Sequence, residues 1–518
     1  MEELAPLQMS YYIKLGVLIF SILIILPLIL KKPPFVMVHK RKLIIILAFV
    51  CSAGYFNFGL FHGRGHFVQI NEFFNYFIGS KFYPELGYDG ILVGSLLAKE
   101  QNDPEFEKPL YIRDLRTMNI ILVDDASFHK NEVRKRFSEK RWSEFVKDVN
   151  KSKQPARTIW LDHGYNPTPA WTFVGRLFTA HLPFTRSVKR LLSLIDVILM
   201  FVAFFILYRT FGLLTLTCAL VIFCLNYTAD FYWTGGAFIR HDWLATLMIG
   251  TCLLKQKHYT MAGVCISYAS MVRIFPVLFM VALGLYGLTC FVRREPVSWL
   301  KNFTMGFAFT AFLLFTVGCC TGRGFNAWIE HFNHIKFMIN QTPVNGIGLV
   351  VPFITSLTNA RGLLVNTKTL YDGAAVLADY NQLLNERNIL IWVVRIVFII
   401  IAFWGIFRSK RPETAVVFGL ALIFALLKPL CYYWVMLVLL PIRQPLKTCM
   451  FFLYSMAAAY LGLFIFLQLI RIGYIANANT AFPVFVLSAI FTILIVAWIF
   501  FCGEEDKKLD VSCSAASY

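Results

Sequence analysis

The chain has 518 residues, of which 58% are hydrophobic and 16% aromatic, and its mean hydropathy is +0.63. These values exclude an ordinary soluble globular protein and indicate a protein embedded in a membrane. The formal net charge of +19 does not indicate nucleic-acid binding, because the lysines and arginines cluster at the ends of apolar segments, where they anchor helices and set topology.

Apolar runs recur along nearly the whole chain. About 20 apolar residues span a bilayer, so we predict an all-α polytopic membrane protein with about 13 transmembrane segments, some of them broken. The runs lie near 11–30, 42–61, 190–208, 212–227, 243–254, 259–272, 274–291, 300–319, 390–407, 413–427, 431–442, 447–470 and 481–502. The predicted regions are two N-terminal transmembrane helices (1–61), an outer-face loop or subdomain (62–187), a multi-helix transmembrane core (188–502) and a disordered cytoplasmic tail (503–518).

Basic turns predict which connections face the cytoplasm. They are Lys31 to Lys42, Lys255 to Lys257, Arg293-Arg294, Arg408 to Arg411 and Arg443 to Lys447. The positive-inside rule puts all of them on one side if the chain breaks around Arg273 and Pro276. The amino terminus and the connections 62–187, 227–242, 320–389 and 471–480 then face outward. The first run lacks a basic leader and a small-residue cleavage site, so we expect no cleaved signal.

The connection 62–187 is the only one long enough to fold by itself, and we expect function at the face where it lies. Its first part, Gly63 to Leu97, is aromatic and glycine-rich, and the spacing of its apolar residues predicts a helix lying along the membrane surface. The second part, Glu100 to Ser187, indicates a small soluble subdomain with an amphipathic helix over 134–149. The apolar side of that helix is formed by Phe137, Trp142, Phe145 and Val149.

The segment 259–276 predicts a helix interrupted at membrane depth. Pro276 follows soon after Arg273, and a backbone can break inside a membrane only where protein or a water-filled cavity satisfies its polar groups. An interrupted helix with a charge at the break is typical of membrane active sites and transport paths. A structural kink caused by Pro276 alone is the alternative.

Three features together resemble a known enzyme class. They are the acidic residue ahead of an aromatic run, Glu72 to Tyr83; the small-residue helix with an Arg-x-x-Pro break, Gly263 to Pro276; and the loop from Trp328 that ends in Asn345-Gly-Ile-Gly348. This arrangement resembles the GT-C superfamily of membrane glycosyltransferases, especially the polyprenol-phosphate-sugar-dependent mannosyltransferase type (glycosyltransferase family 87). Where that family commonly carries Asp in the first loop, this chain has Glu72 or Asp89.

The resemblance implies a GT-C-like fold and an inverting glycosyltransferase. Its donor would be a polyprenyl-phosphate-linked sugar, with mannose as one candidate, and its acceptor a glycolipid, a polysaccharide or a protein. The expected location is the plasma or inner membrane with the site facing the periplasm or exterior, or the endoplasmic reticulum in a eukaryote. We expect the bilayer, the donor and the acceptor as partners, and no nucleic acid.

Such a reaction needs a carboxylate to accept the proton of the attacking hydroxyl. Glu72 is the first candidate, because it stands near the outer end of the second helix. Asp89 is another, and Asp162 with the adjacent His163 could form an acid and orienting pair. The alternatives are a solvated interfacial acid at Glu72 and turn-capping roles for Asp89 and Asp162.

The reaction also needs cations that hold the leaving phosphate. Arg273 is the best candidate, because a guanidinium inside a membrane is costly and its fork matches a phosphate. A structural pair with the intramembrane Asp196 is the alternative. Arg240 and Lys428 are further candidate phosphate ligands.

A dense polar and aromatic connection, 226–243, suits the recognition of a sugar. The candidate sugar-binding or acceptor-binding residues are Asp230, Trp233, His241, Asp242 and His331. An interfacial aromatic belt with snorkelling charges is the alternative. His331 and His334 would share a helix face, but no carboxylate cluster accompanies them and the twelve cysteines include no CxxC, so we predict neither a metal nor a cofactor.

Two other functional classes compete with an enzyme. A transporter or flippase of a lipid-linked or anionic substrate fits the broken helix and Arg273 equally well, but transporters often show two related halves, which this sequence lacks. A non-enzymatic assembly factor is the third class. The chain has no P-loop, GxGxxG, GxSxG or HExxH motif, which argues against nucleotide-driven transport and against serine or zinc hydrolysis.

Overall fold

A computed structural model describes residues 4–63, 65–103, 106–152, 157–340, 346–354, 382–471 and 481–501. The predicted tail 503–518, the connection 472–480 and the motif residue Asn345 lie outside this part of the chain. Five of the described helices are long and apolar enough to cross a membrane. They are Ser10–Leu30, Arg186–Leu225, Ser298–Cys319, Asn388–Arg408 and Pro445–Ile465.

The regular structure of the described residues is almost entirely helical. The α-helices of eight residues or more are α1 (Leu4–Leu30), α2 (Lys40–Tyr55), α3 (Ile91–Asn102), α4 (Ser127–Lys135), α5 (Glu139–Lys151), α6 (Pro169–Thr179), α7 (Arg186–Leu225), α8 (Asp242–Lys255), α9 (Tyr259–Val272), α10 (Val277–Val292), α11 (Ser298–Cys319), α12 (Asn326–Asn340), α13 (Asn388–Arg408), α14 (Gly419–Leu426), α15 (Pro445–Arg471) and α16 (Ala481–Phe501).

Shorter elements connect these helices. They are helical turns at Pro34–Val38, Asn57–Gly59, Ile70–Phe73, Phe74–Ile78, Gly79–Lys81, Tyr83–Leu86, Asp124–Ala126, Arg157–Leu161, Tyr227–Ala229, Phe231–Thr234, Val351–Ile354, Pro412–Ala415 and Val416–Phe418, and a 3₁₀ helix at Cys431–Ile442. Two antiparallel strands, β1 (Tyr111–Arg113) and β2 (Ile120–Leu122), pair Ile112 with Ile121.

Helix α7 reverses direction at Gly212, where the backbone turns to φ 85° and ψ 175°. The rings of Phe204 and Phe223 lie 5.6 Å apart, whereas an unbroken helix would separate two residues at that sequence distance by about 28 Å. The two arms of α7 therefore form a helical hairpin, in agreement with the two separate apolar runs at 190–208 and 212–227.

Helices α9 and α10 form a second hairpin, and the predicted break between them is confirmed. Helix α9 ends at Val272, Arg273 is extended at φ −144° and ψ 109°, and α10 begins at Val277. Tyr259 near the start of α9 and Tyr286 in α10 both pack against Trp299, with ring centroids 6.0 and 5.8 Å away. Both helices contact the same tryptophan at the end of the hairpin that is far from the break. Arg273 therefore lies at the other end of the hairpin.

Three of the basic turns contact one another or a neighbouring helix end. Arg293 Nη1 donates a hydrogen bond to the carbonyl of Ser409 at 3.3 Å, and Arg443 Nη1 donates to Ser409 Oγ at 3.5 Å. These turns after α10, α13 and Cys431–Ile442 therefore lie at one end of the bundle.

The 62–187 connection is called here the polar insertion, and its first half is largely buried from Phe73 onward. We expected Gly63 to Leu97 to hold a helix along the membrane surface, and this is wrong. From Ile70 to Leu86 the segment is a chain of short helical turns, and α3 follows from Ile91. The aromatic residues of these turns are buried; they include Phe73, Phe74, Phe77, Phe82 and Tyr83. A helical segment that is apolar all round is buried between other elements.

The amphipathic helix predicted over 134–149 is two helices. Helix α4 ends at Lys135, and α5 begins at Glu139 after Ser138, whose side chain accepts a hydrogen bond from the backbone N–H of Arg141. A serine in this N-cap position starts a new helix by satisfying a free N–H group. The predicted apolar side is confirmed, because all four of its residues are buried.

Candidate functional site

The polar insertion is tied to the connection before α8 by direct backbone contacts. The backbone N–H of Gln69 donates to the carbonyl of Gly236 at 3.1 Å, and its side chain donates to the carbonyl of Tyr232 at 2.7 Å. Gly236 has a positive φ of 67°, and a Cβ atom there would lie 1.8 Å from the carbonyl oxygen of Phe67. Only glycine fits this approach, which brings the segment after Gln69 beside the segment after Gly236.

Helix α6 fastens the insertion on the other side. Trp171 Nε1 donates to the carbonyl of Ile239 at 3.1 Å, next to Arg240. Thr168 Oγ1 donates to the carbonyl of Met271 at 2.7 Å, shortly before the α9–α10 break. One short helix therefore positions both candidate arginine segments.

Glu72 and Arg240 form an ion pair where these segments meet. Glu72 Oε2 lies 2.7 Å from Arg240 Nε, and the two side chains are 18% and 2% exposed. The alignment of these two atoms does not make a hydrogen bond, so neither atom has a hydrogen-bond partner. Burial raises the pKa of the Glu72 carboxyl above its ordinary value, and the neighbouring Arg240 offsets only part of that rise.

Aromatic rings surround the Arg240 guanidinium. Its carbon lies 4.3 Å from the centre of the Tyr76 ring and 5.2 Å from that of Tyr432, and Nη1 donates a hydrogen bond to the Tyr76 hydroxyl. A cation over an aromatic face is stabilised by the ring quadrupole. A small cavity beside the guanidinium is lined by Thr234, Arg240, His241, Trp243, Tyr432 and Tyr433.

Asp196 of α7 holds this segment in place. Its carboxylate accepts from the backbone N–H of Arg240 at 2.8 Å and from that of His241 at 3.2 Å, and it contacts His241 Nδ1 at 3.2 Å. Asp196 therefore pairs with the segment of Arg240 and His241, and the alternative in which it pairs with Arg273 is wrong. His241, predicted to bind sugar or acceptor, is engaged by Asp196 and lies 3.4 Å from Thr234 Oγ1.

Arg273 carries two buried donors without partners. It is 6% exposed, and neither Nε nor Nη2 has a hydrogen-bond partner, whereas Nη1 is 3.4 Å from the carbonyl of Val272. The guanidinium carbon lies 5.6 Å from the Tyr76 ring and 5.7 Å from the Trp171 ring. Nε and Nη2 form the edge of the fork that binds two oxygens of a phosphate or carboxylate.

Asp242, the first residue of α8, is a second buried carboxylate. Its Oδ2 accepts a hydrogen bond from the Tyr268 hydroxyl at 3.0 Å, and its Oδ1 has no partner. Such an orphaned acceptor is costly unless a ligand or water completes it.

Asp162 and His163 are brought to the site but do not pair through their side chains. Asp162 accepts from Asn75 Nδ2 at 2.6 Å and from the backbone N–H of His163 at 2.8 Å. Burial, helped by Arg113, lowers the pKa of the His163 ring to about 4, so the ring is neutral at neutral pH. The proximity of Asp162 also helps to raise the pKa of Glu72, which places the two carboxylates within electrostatic range.

His331 and His334 share a buried face of α12, as predicted. Both ring nitrogens of His331 and Nε2 of His334 lack hydrogen-bond partners. The His334 ring stacks on Tyr88 with centroids 5.2 Å apart. Burial lowers the pKa of His331 to about 3 and that of His334 to about 4. Arg273 contributes to the shift of His331, so these neutral donors and acceptors lie near its guanidinium.

Four other predicted site residues have their own contacts, away from the Glu72–Arg240 pair; they are Asp89, Asp230, Trp233 and Lys428. Asp89 receives two hydrogen bonds from Arg136, at 2.8 and 2.9 Å, and contacts buried His129 at 3.0 Å. Burial alone would raise the pKa of Asp89, but these partners lower it overall, which favours a structural role. Asp230 accepts from Ser10 Oγ of α1 and from the backbone N–H of Tyr232.

The other two are Trp233 and Lys428. Trp233 is half-buried beside Tyr232, with rings 6.0 Å apart. Lys428 is close to Arg395 of α13. The predicted roles of Trp233 in sugar or acceptor binding and of Lys428 in phosphate binding stay predictions.

The most important residue missed by sequence reasoning is Tyr76, which lies between the two arginines. Tyr433 is a second residue that was missed: its ring packs on Phe275 at 4.9 Å, inside the α9–α10 break. The available signal for Tyr76 was a hydroxyl-bearing ring within the mostly apolar run Phe73 to Ile78, close after Glu72.

Searches against protein-family models, curated proteins and solved structures each found no match. Among the described residues, no group of three or more His, Cys, Asp or Glu side chains could hold a metal ion.

Proposed function

We propose that the chain is an inverting glycosyltransferase that transfers a sugar from a polyprenyl-phosphate donor to a hydroxyl-bearing acceptor. The observation that carries the proposal is the Arg273 guanidinium, buried with Nε and Nη2 unpartnered, close to the Tyr76 that also binds Arg240 and near the Glu72 carboxylate. A cationic fork and a carboxylate with a raised pKa are the two groups that this reaction requires.

In this mechanism Glu72 accepts the proton of the acceptor hydroxyl as its oxygen attacks the anomeric carbon. The new carbon–oxygen bond forms while the bond from that carbon to the phosphate oxygen breaks. The phosphate keeps the electron pair and gains negative charge, which Arg273 and Arg240 stabilise. Direct displacement inverts the configuration at the anomeric carbon and needs only one catalytic carboxylate.

The remaining polar groups suit the sugar. Asp242 Oδ1 and the ring nitrogens of His331 offer unpartnered acceptors and donors for hydroxyl groups. Neutral imidazoles exchange hydrogen bonds with hydroxyls without adding charge. The proposal includes a GT-C-like fold with about 13 transmembrane segments and a site on the outward face of a plasma, inner or endoplasmic-reticulum membrane.

The test is an assay of the purified protein with radiolabelled polyprenyl-phosphate mannose and glucose, offered to a membrane lipid extract. We expect label in a new product with one of these donors. Glu72→Gln should lower turnover by about 10²- to 10⁴-fold and still bind the donor, whereas Glu132→Gln, a carboxylate exposed elsewhere on the insertion, should behave as wild type.

Other outcomes would point away from the enzyme. Donor that crosses the bilayer of proteoliposomes unchanged would establish a transporter instead. A protein that neither binds nor transfers either donor, and whose cellular role survives both Glu72→Gln and Arg273→Ala, would be an assembly factor.

A further inference from the structure

A second charged cleft lies on the polar insertion, between α5, α6 and the turn at Tyr83–Leu86. Its cavity has a volume of about 590 Å³, within the range of cavities that hold a small ligand. Six cations line it: Lys81, Lys140, Arg141, Lys147, Lys151 and Arg176.

The carboxylates of the cleft are already used by two of these cations. Buried Asp148 pairs with Lys81 at 2.6 Å, and Glu85 pairs with Arg141 at 2.6 Å. The third, Glu144, also contacts Arg141, at 3.0 Å. The three carboxylates therefore neutralise Lys81 and Arg141 and leave the other four cations of the cleft uncompensated.

These four cations have no carboxylate partner among the described ion pairs: Lys140, Lys147, Lys151 and Arg176. Arg176 donates only to backbone carbonyls, those of Ser80 and Lys81, both at 3.2 Å. Lys140, Lys147 and Lys151 are exposed on α5. Their spacing of seven and four residues puts them on one face of the helix, so they present a row of positive charge to the cleft.

The cleft opens close to the apolar surface of the bundle. Leu177 and Phe178 on α6 are 68% and 38% exposed beside the lining residue Arg176. The lining ends at Pro183, and α7 begins at Arg186 and shows its first strongly exposed apolar side chain at Leu191, 66% exposed. Exposed leucine and phenylalanine on the helix that carries Arg176, together with uncompensated lysines on α5, are the composition of a surface at the headgroup level of a bilayer.

We propose that this cleft binds the headgroup of an anionic phospholipid from the membrane that holds the protein. The lysines of α5 and Arg176 contact the phosphate, and Leu177 and Phe178 contact the acyl chains. The apolar neighbours favour a lipid over a free anion, because a soluble phosphate gains nothing from them. This inference is independent of the glycosyl-transfer proposal, since it uses none of the residues around Glu72.

The test is a titration of the full-length protein in neutral detergent with short-chain phosphatidylglycerol, short-chain phosphatidylcholine and glycerol phosphate. Wild type should bind phosphatidylglycerol, less tightly at high salt, and the other two probes much more weakly. Lys147→Gln with Lys151→Gln should weaken phosphatidylglycerol binding by about 10- to 30-fold. The matched control is Lys108→Gln with Lys135→Gln, which removes two exposed lysines from the same insertion outside the cleft and should leave the affinity within about twofold of wild type.

Three results would overturn the proposal. Equal affinities of wild type and the α5 variant would show that the cleft does not bind the lipid. Equal losses in the α5 variant and in the control would show a diffuse charge effect. Glycerol phosphate binding as tightly as phosphatidylglycerol would identify a site for soluble anions.

Discussion

Glu72 Oε2 lies 2.7 Å from Arg240 Nε without the alignment of a hydrogen bond. The contact joins the polar insertion, at the residue ahead of its buried aromatic segment, to the connection before α8. Because both atoms keep unused hydrogen-bonding capacity, a hydroxyl that enters between or beside them can bind the carboxylate without first breaking a hydrogen bond between the pair. The arrangement is thus suited to a proton acceptor that is held in place but still available.

Replacing Arg240 by glutamine should shift the pH dependence of turnover. Burial raises the pKa of Glu72 and Arg240 lowers it, so the loss of the guanidinium raises this pKa further. Since the base acts only when deprotonated, turnover increases with pH through that pKa, and the acidic limb of the kcat profile should move upward by about one pH unit or more. Arg136→Gln, which removes an arginine paired with Asp89, should leave the limb in place. An unmoved limb in Arg240→Gln would show that Glu72 is not the titrating base.

Replacing Arg273 by lysine should weaken the binding of polyprenyl phosphate without its sugar. Lysine keeps the charge but loses the two-donor edge of the fork, and hydrogen bonds to charged groups contribute about 1.5–3 kcal/mol, so we expect a loss of roughly 10- to 100-fold. Arg293→Lys is the control, because that arginine binds the carbonyl of Ser409 at the other end of the bundle. Binding by Arg273→Lys as tight as by wild type would exclude a bidentate phosphate contact.

The two histidines of α12 should make the protein sensitive to acid. Their pKa values are lowered to about 3 and about 4, whereas an unfolded histidine titrates near pH 6.5. Between these values the unfolded state binds protons that the folded state excludes, so the free energy of unfolding decreases as the pH falls below about 6.5.

At pH 5 the loss should be on the order of 2 kcal/mol for each histidine. The unfolding temperature of His331→Asn with His334→Asn should therefore change less between pH 7 and pH 5 than that of wild type. His258→Asn, which replaces an exposed histidine, should follow the wild-type curve. If the double variant is as acid-sensitive as wild type, the two imidazoles are protonated in the folded protein.

Gly236→Ala should disrupt the site. The new Cβ would lie 1.8 Å from the carbonyl oxygen of Phe67 at a positive φ, so the insertion must move away from the α8 connection, at a cost of about 3 kcal/mol or more. Gly284→Ala is the matched control, because its Cβ would meet no atom within 4 Å and alanine favours a helix by about 1 kcal/mol. The yield of folded protein and its unfolding temperature measure both effects. Equal stability of the two variants would show that the Gln69–Gly236 contact does not hold the site together.

Much of the helical architecture follows from local sequence. Hydropathy is summed over neighbouring residues, so it located the apolar segments, and Pro276 after a charged residue was sufficient to locate the break around Arg273. The helix boundary at Ser138 was missed, because the apolar face continues across it and only the cap interrupts the helix. The burial of Phe73 to Tyr83 was also missed, since an aromatic segment at a surface and one inside a bundle have similar composition.

The sequence by itself determined a helical chain suited to a membrane, an interrupted helix at Arg273, and a short set of polar residues whose cost in apolar surroundings indicates a function. Only the tertiary structure decided which of them meet. Glu72 pairs with Arg240, and Asp89 pairs with Arg136. Asp196 accepts a hydrogen bond from the backbone of Arg240 and does not pair with Arg273. Hydropathy and helix breaks depend on neighbours along the chain, whereas these pairings depend on how distant segments pack, and Tyr76 acquires its position between two arginines only through that packing.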